Sequence, residues 1–133
     1  MGPFRVGMDM KTARTLRDFR FEDGRTGEEG AIPIVTVYRG DERFATLWPS
    51  DGKLSKVIAR SPSLATAEGV APGMRASEVF AKLEGSPDVL VACEDSEGTS
   101  IKIGSYPYEL IFGECGLDSV RKADSVLQGI GVP

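Results

Sequence analysis

The sequence predicts an α+β fold in which two helices cover one face of a curved antiparallel sheet of about six to eight strands. Three observations lead to this expectation. Two segments carry apolar residues at helical spacing, and each precedes a run of short β-branched or aromatic segments separated by turn residues. The dipeptides Gly7-Met8 and Gly73-Met74 open the two helical segments, half a chain apart. We therefore expect one domain, residues 1–133, made of two helix-plus-antiparallel-meander repeats, about 4–66 and 67–133.

The first half is expected to contain one helix and three strands. Apolar side chains at helical spacing predict a helix over residues 8–19. The polar, glycine-containing stretch 22–30 predicts a loop. β-Branched and aromatic residues then predict strands over 32–38, 43–48 and 53–59. Asp51-Gly52 is the favoured two-residue turn of a β-hairpin.

The second half repeats this order. A helix is predicted from Gly73 to Leu83, with Gly85 as its terminating glycine. Three strands are expected to follow, over 89–93, 99–103 and 108–112. The tail is ambiguous: residues 117–123 favour one or two helical turns, and residues 125–130 favour a closing strand.

Charge and hydropathy exclude two classes of partner. The chain has 16 basic and 20 acidic residues and a net charge of −4. Its basic residues are scattered, whereas nucleic-acid binding needs a concentrated basic field, so no nucleic-acid partner is expected. Apolar runs fall far short of the roughly 18 residues that span a bilayer, so no spanning segment is expected in this chain.

The residue types that carry most catalysis are missing or isolated. The chain has no histidine, the commonest general base and metal ligand. The segment 119–122 matches the Ser-x-x-Lys pattern of serine β-lactamases, but their companion motifs are absent. Glu94, Asp95 and Glu97 crowd one turn without the spacing of a calcium loop. We therefore expect no enzymatic activity, no metal and no cofactor.

Two cysteines bear on the compartment. Cys93 lies near the end of one predicted strand and Cys115 just beyond another, two strands later. In a meander those ends lie on the same edge of the sheet, so the Cα atoms can fall within bridging distance. A disulfide closing a loop of about twenty residues would add roughly 3 kcal/mol on the chain-entropy model. Two reduced thiols in a cytosolic protein are the alternative.

Large aromatic side chains mark a candidate binding surface. Strand alternation predicts that the aliphatic side chains of 35, 37, 45 and 47 meet the helices, so that the neighbouring aromatic ones occupy the uncovered face. Tryptophan and tyrosine dominate protein-interface hot spots. The candidate binding residues are Tyr38, Phe44, Trp48, Tyr106 and Tyr108. In the alternative arrangement the aromatic residues form the helix-covered core and the aliphatic ones face outwards.

The segment 72–88 resembles a motif of bacterial envelope proteins. It is similar to the pattern Gly-Met-x-x-x-x-Val-x-x-x-Leu-Gly-x-Pro-Asp of the BamE (SmpA/OmlA) lipoproteins, with Glu84 as one additional residue before the second glycine. The same helix-then-meander unit is duplicated in β-lactamase inhibitory protein. Segments 51–58, 61–62 and 66–70 resemble a family of sigma-E-regulated lipoproteins, which is closer in order and spacing. The motif residues are Gly73, Met74, Val79, Leu83, Gly85 and Pro87.

The resemblance implies a fold and a location rather than a reaction. It implies export to the periplasm, often with an N-terminal lipid anchor at the outer membrane on a cysteine that this chain lacks, and it favours the disulfide. The first repeat matches the motif only at Val6-Gly7-Met8, so the duplication is an inference.

These observations lead to one expected function and two alternatives. We expect a non-enzymatic periplasmic or outer-membrane-associated protein that binds an envelope protein partner or takes part in envelope assembly. The first alternative is a secreted inhibitor of a hydrolase, such as lysozyme or β-lactamase, that uses the same sheet face. The second is a small-molecule carrier, which would need an enclosed apolar pocket.

Overall fold

The computed structural model describes residues 2–93 and 98–133. Within these residues the strands are β1 (Arg20–Thr26), β2 (Ile32–Arg39), β3 (Glu42–Ser50), β4 (Lys53–Ala59), β5 (Pro87–Ala92), β6 (Thr99–Ile103), β7 (Glu109–Phe112) and β8 (Leu127–Val132). The α-helices are α1 (Met10–Arg14), α2 (Ala76–Lys82) and α3 (Leu117–Ala123), and a short 3-10 turn covers Glu28–Gly30. None of these helices is long and apolar enough to cross a membrane.

All eight strands form one open antiparallel sheet. Their spatial order is β1-β2-β3-β4-β8-β7-β6-β5. The last strand of the chain therefore lies in the middle, where it pairs with β4 over Val57↔Val132 to Ala59↔Ile130. The predicted α+β class and antiparallel sheet are confirmed, with the strand number at the upper end of the expected range.

The hairpin between β3 and β4 has the predicted turn. Ser50 pairs with Lys53, which leaves Asp51 and Gly52 as the two central residues. Both have positive φ, 52° and 77°, as a type I′ turn requires. Aspartate and glycine tolerate this left-handed region better than other residues, so the local sequence selects the hairpin.

The apolar core lies on one face of the sheet in two clusters. The cluster beneath α1 includes Val57, and the cluster beneath α2 and α3 includes Ala59. These two residues are two positions apart on β4 and therefore point to the same side. Since one belongs to each cluster, the helices of both halves pack on the same face of the sheet. Leu64, in the connector between β4 and α2, contacts both clusters.

The segments that lead into α1 and α2 make corresponding backbone hydrogen bonds. In the first half these are Gly7 N to Leu54 O (2.7 Å), Leu54 N to Met8 O (2.8 Å) and Met10 N to Gly52 O (2.8 Å). In the second half they are Gly73 N to Leu127 O (2.7 Å), Leu127 N to Met74 O (2.8 Å) and Ala76 N to Ser125 O (2.8 Å). Each Gly-Met segment is thus bound to the start of the last strand of its own half.

Two predictions for the first half were wrong in part. The helix ends at Arg14, although Leu16 and Phe19 still pack against the core from the chain that follows it. Residues 20–26 are a strand rather than a loop, paired with β2 from Arg20↔Tyr38 to Thr26↔Ile32. This strand is mostly exposed and highly charged, so it lacks the apolar alternation that marks a strand in a sequence.

The motif residues of the second half form helix α2 and the turn that follows its C-terminal end. Val79 and Leu83 are buried in the core, and Met74 packs against it. Gly85 has φ of 120°, and a Cβ atom there would lie 2.7 Å from the Cα of Gly104. The glycine therefore allows the chain leaving α2 to pass directly over the turn between β6 and β7.

The two cysteines are paired. Cys93 follows β5 and Cys115 follows β7, with β6 between those strands. Their Cα atoms are 5.2 Å apart, within the range of disulfides. The predicted pairing is confirmed, because the two strand ends meet at the same end of the sheet.

Candidate functional site

The candidate site is the sheet face opposite the helices, which we call the open face. Pairing defines a row of residues that points to this side: Thr36, Thr46, Ile58, Gly131 and Glu109, on β2, β3, β4, β8 and β7. The core residues beside them alternate to the helix side. None of the three α-helices in the described part of the chain has its buried residues on the open face.

An ion pair joins the two halves at the middle of the open face. Lys56 Nζ lies 3.5 Å from Glu109 Oε1, and 30% and 24% of their side-chain surfaces are exposed. Glu109 also accepts a hydrogen bond from the Ser100 hydroxyl. Lys56 and Glu109 lie on opposite sides of β8, where Gly131 leaves room because a Cβ atom would come within 3.0 Å of the Glu109 Cβ.

A buried arginine lies beside this ion pair. Arg60 is 8% exposed. Its Nε donates to Thr46 Oγ1 at 3.1 Å, and its Nη1 donates to the Gln128 carbonyl at 3.2 Å. At Gly129 a Cβ atom would lie 2.8 Å from that Nη1. The glycine on β8 therefore allows the guanidinium to lie across the strand.

Two of the predicted aromatic residues lie on the open face. Trp48 is half-buried, and Lys56 Nζ lies 4.9 Å from its ring centroid. Tyr38 is also half-buried, with the Arg20 guanidinium 4.3 Å from its ring centroid. Cation–π contacts of this length hold the rings in place, so each aromatic residue is presented with a cation beside it.

The expected position of Phe44 was wrong. Phe44 is 3% exposed in the helix-side core, with its ring 4.9 Å from that of Phe19. The cause is a β-bulge: Val37 pairs with Ala45 but Tyr38 pairs with Arg43, so Phe44 is an extra residue on β3. The bulge shifts the alternation of side chains between the two sheet faces by one position. Counting alternate residues back from Trp48 therefore places Phe44 on the wrong face.

Tyr106 and Tyr108 were also expected beside Tyr38 and Trp48, and they lie elsewhere. Both pack against the core cluster beneath α2 and α3, with ring centroids 5.2 Å apart. The Tyr106 hydroxyl donates to Thr66 Oγ1 at 2.6 Å, and partial burial raises the pKa of this phenol. Tyr108 is in phase with the core residues Leu110 and Phe112, so alternation along β7 would have placed it correctly.

The charged residues of the open face were missed in the sequence. Strand pairing and alternation place six basic side chains on this face and three acidic ones. The basic residues are Arg20, Arg43, Lys53, Lys56, Arg60 and Lys102, and the acidic ones are Glu22, Asp88 and Glu109. The face is thus net positive on a chain whose net charge is −4. Lys56 pairs with Trp48 only because a β-bulge leaves Ser55 as an extra residue on β4, so the regular hairpin predicted from Asp51-Gly52 would have placed Lys56 on the other face.

Other candidate chemistry has no support in the described residues. They contain no group of three or more side chains suited to hold a metal ion, and Glu94, Asp95 and Glu97 lie outside them. Ser119 and Lys122 are both exposed on α3. A surface groove of ≈ 290 Å³ lies beside the end of α3 and is lined by Arg75, Glu114, Asp124 and Gln128 among others. This groove is polar, unlike the enclosed apolar pocket of a carrier.

Comparison of the chain with protein-family models, with curated proteins and with solved structures gave no match. The resemblance of residues 72–88 to envelope lipoproteins therefore rests on the motif residues alone.

Proposed function

We propose that this chain is a non-enzymatic, exported protein that binds a protein partner through the open face of its sheet. One observation carries the proposal: the half-buried Trp48 lies beside the Lys56–Glu109 ion pair on a face that is not covered by the described helices. A ring that is already partly desolvated and fixed by a cation loses little conformational freedom when a partner covers it. Such residues carry most of the affinity of protein interfaces.

The charge of the open face indicates the character of the partner. The face carries more basic than acidic side chains, although the chain as a whole is acidic. An acidic surface would be attracted to this face and repelled by the remainder of the protein, which orients the encounter. We therefore expect the partner to present carboxylates to the region of Lys56 and Arg43, since Arg43 is exposed on this face.

The cysteine pair supports export. Cys93 and Cys115 are both exposed, and their Cα atoms are 5.2 Å apart. Disulfides persist in the periplasm and outside the cell, whereas cytosolic thiols are kept reduced. Together with the motif around Gly73, this favours a periplasmic or lipid-anchored outer-membrane protein whose partner is an envelope protein.

The arrangement of the halves supports two helix-plus-meander repeats, about 4–66 and 67–133. The matching hydrogen bonds of Gly7-Met8 to Leu54 and of Gly73-Met74 to Leu127 are the strongest support. The two terminal strands of the halves, β4 and β8, meet in the middle of the sheet. In this reading the open face is a shared surface that neither repeat forms alone.

The second candidate function is inhibition of a hydrolase by the same face. The net positive charge around Trp48 favours it, because the clefts of glycoside hydrolases carry a pair of catalytic carboxylates. A rigid, preformed sheet also suits an inhibitor, since such complexes form with little backbone movement.

Affinity capture with single variants tests the binding face. Immobilised wild-type protein, Trp48→Ala and Tyr38→Ala would be exposed to a periplasmic extract of the producing bacterium, with Tyr108→Ala as the matched control from the helix side. We expect the first two variants to lose a partner that wild-type protein and the control retain. Equal capture by all four proteins would remove the open face as the binding surface. Inhibition assays against lysozymes and β-lactamases distinguish the second candidate, which a complete absence of inhibition would eliminate.

A further inference from the structure

The outer edge of β5 is a second surface with unusual composition. This strand ends the sheet opposite β1. Val89, Leu90 and Val91 are consecutive on it and are 37%, 48% and 38% exposed. An edge strand presents unpaired backbone N–H and C=O groups, and apolar side chains beside them favour pairing with another strand.

The opposite edge of the sheet is protected against such pairing. Along β1 the charged side chains are Arg20, Glu22, Asp23 and Arg25, and ion pairs join Arg20 to Glu22 (2.9 Å) and Asp23 to Arg14 (2.7 Å). An incoming strand would have to desolvate these groups. In β5 the single charged residue is Asp88. The two edges therefore differ in charge, and only β5 combines an apolar run with a low charge.

We propose that β5 pairs antiparallel with β5 of a second copy of this chain, so that two sheets become one. The β-bulge makes this strand self-complementary. Asp88 pairs with Lys102 and Val91 with Ser100, so Leu90 is the extra residue and both Asp88 and Val91 project to the open face. A two-fold axis between Val89 and Leu90 then sets Asp88 of one copy opposite Val91 of the other.

This register matches the two faces of the joined sheets and keeps like charges apart. Open-face residues meet open-face residues, as a continuous sheet requires. Each Asp88 carboxylate keeps its own cross-strand Lys102 and stands opposite a valine, so the two carboxylates do not face one another. Like charges directly opposite would destabilise the pair. The same patch serves on both copies, which is the arrangement of a closed two-fold dimer.

The edge is held in place at both ends before pairing. At one end Cys93 is joined to Cys115, and its N–H donates to the Gly98 carbonyl at 2.6 Å. At the other end Gly104 N donates to the Ser86 carbonyl at 3.2 Å. A preformed strand has little ordering entropy to lose on association. Six residues a side bury little area, so we expect a weak, concentration-dependent dimer.

The dimer would bring the two open faces to the same side of the extended sheet. A partner with two copies of its acidic surface would then bind with increased avidity. The pairing of β5 is nevertheless independent of the proposed function, because it is measured on the purified protein alone.

Sedimentation equilibrium over a wide concentration range tests the proposal. We expect wild-type protein to dimerise and Leu90→Lys to raise the dimer dissociation constant at least tenfold. The matched control is Val126→Lys, since Val126 is 40% exposed away from this edge; it should dimerise like wild type. A wild-type protein that stays monomeric, or a Leu90→Lys variant that dimerises normally, would overturn the proposal.

Hydrogen exchange on unmodified protein gives a second test that no folding defect can confuse. Amides of residues 87–92 should become more protected as the concentration rises, and those of β1 should not change. If protection rises in β1 instead, or in neither edge, the pairing assigned to β5 is wrong.

Discussion

Lys56 and Glu109 form an ion pair across a strand to which neither belongs. They are 53 residues apart in the sequence, and Lys56 Nζ lies 3.5 Å from Glu109 Oε1. Strand β8 runs between their strands, β4 and β7. Gly129 and Gly131 have no side chains, so side chains of the neighbouring strands can pack across the open face of β8. The junction of the two halves on the open face thus depends on positions without side chains.

Gly129→Ala should destabilise the protein for this reason. The new Cβ atom would lie 2.7 Å from Ile58 Cγ2 and 2.8 Å from Arg60 Nη1, and Ile58 is 1% exposed. Relief requires displacement of a packed side chain, so we expect a loss of about 1–3 kcal/mol in the free energy of unfolding, measured with urea. The control is Gly24→Ala on β1, where the nearest atom is 3.7 Å away. Equal stability of the two variants would contradict the close packing over β8.

Gly85→Ala tests the role of the motif glycine. Its φ of 120° disfavours any side chain, and the Cβ atom would also meet the Gly104 backbone at 2.7 Å. We expect a loss of about 3 kcal/mol, from backbone strain and overlap together. Gly7→Ala separates the two effects, because φ is 91° there but no atom lies within 4 Å of the new Cβ. Gly7→Ala should lower the free energy of unfolding by about 1 kcal/mol. A similar cost at both positions would mean that the contact with Gly104 is unimportant.

Local signals in the sequence were sufficient for most strands and turns. Asp51-Gly52 specifies its own turn through its φ preferences, and the strands it joins carry β-branched residues in their interiors. Strand β1 could not be predicted in this way. It is held by pairing with β2 rather than by an apolar face of its own, and such pairing leaves no mark in a single sequence.

The candidate site was only partly predictable for a related reason. Trp48 and Tyr38 were placed on the open face by simple alternation, whereas the position of Lys56 opposite Trp48 depends on a bulge at Ser55 that regular alternation does not predict. Phe44 was misplaced because the bulge after Val37 adds one residue to β3. The contact of Lys56 with Glu109 depends on insertion of β8 beside β4, a long-range pairing that strand propensities do not determine.

Asp124 should make stability sensitive to acid. Its carboxylate accepts hydrogen bonds from Ser77 N (2.9 Å) and Ser77 Oγ (3.2 Å), and these bonds, with the nearby Arg75, lower its pKa below the ordinary 3.8. A lowered pKa in the folded state gives stability that is present above the ordinary value and is lost as pH falls through the folded value. We expect wild type to exceed Asp124→Asn in stability at pH 6, with the difference shrinking below about pH 4.

The asparagine variant isolates the charge, since asparagine also tolerates the left-handed backbone at this position, where φ is 46°. Asp41→Asn, in the turn between β2 and β3, controls for the loss of a surface carboxylate. Thermal unfolding from pH 2 to 7 gives the measurement. A difference between wild type and Asp124→Asn that does not change with pH would mean that the carboxylate is not stabilised by Ser77.

The link between Cys93 and Cys115 should account for a substantial part of the stability. The cysteines are 22 residues apart in the sequence, and a crosslink that closes a loop of this size stabilises by about 3 kcal/mol on the chain-entropy model. We expect the double variant Cys93→Ser, Cys115→Ser to lose about that amount in urea unfolding. Both cysteines are exposed, so a reductant should bring wild-type protein to the stability of the variant and leave the variant itself unchanged. If reductant has no effect on wild type and both thiols react freely with an alkylating reagent, the cysteines are not joined in the isolated protein, and export loses its structural support.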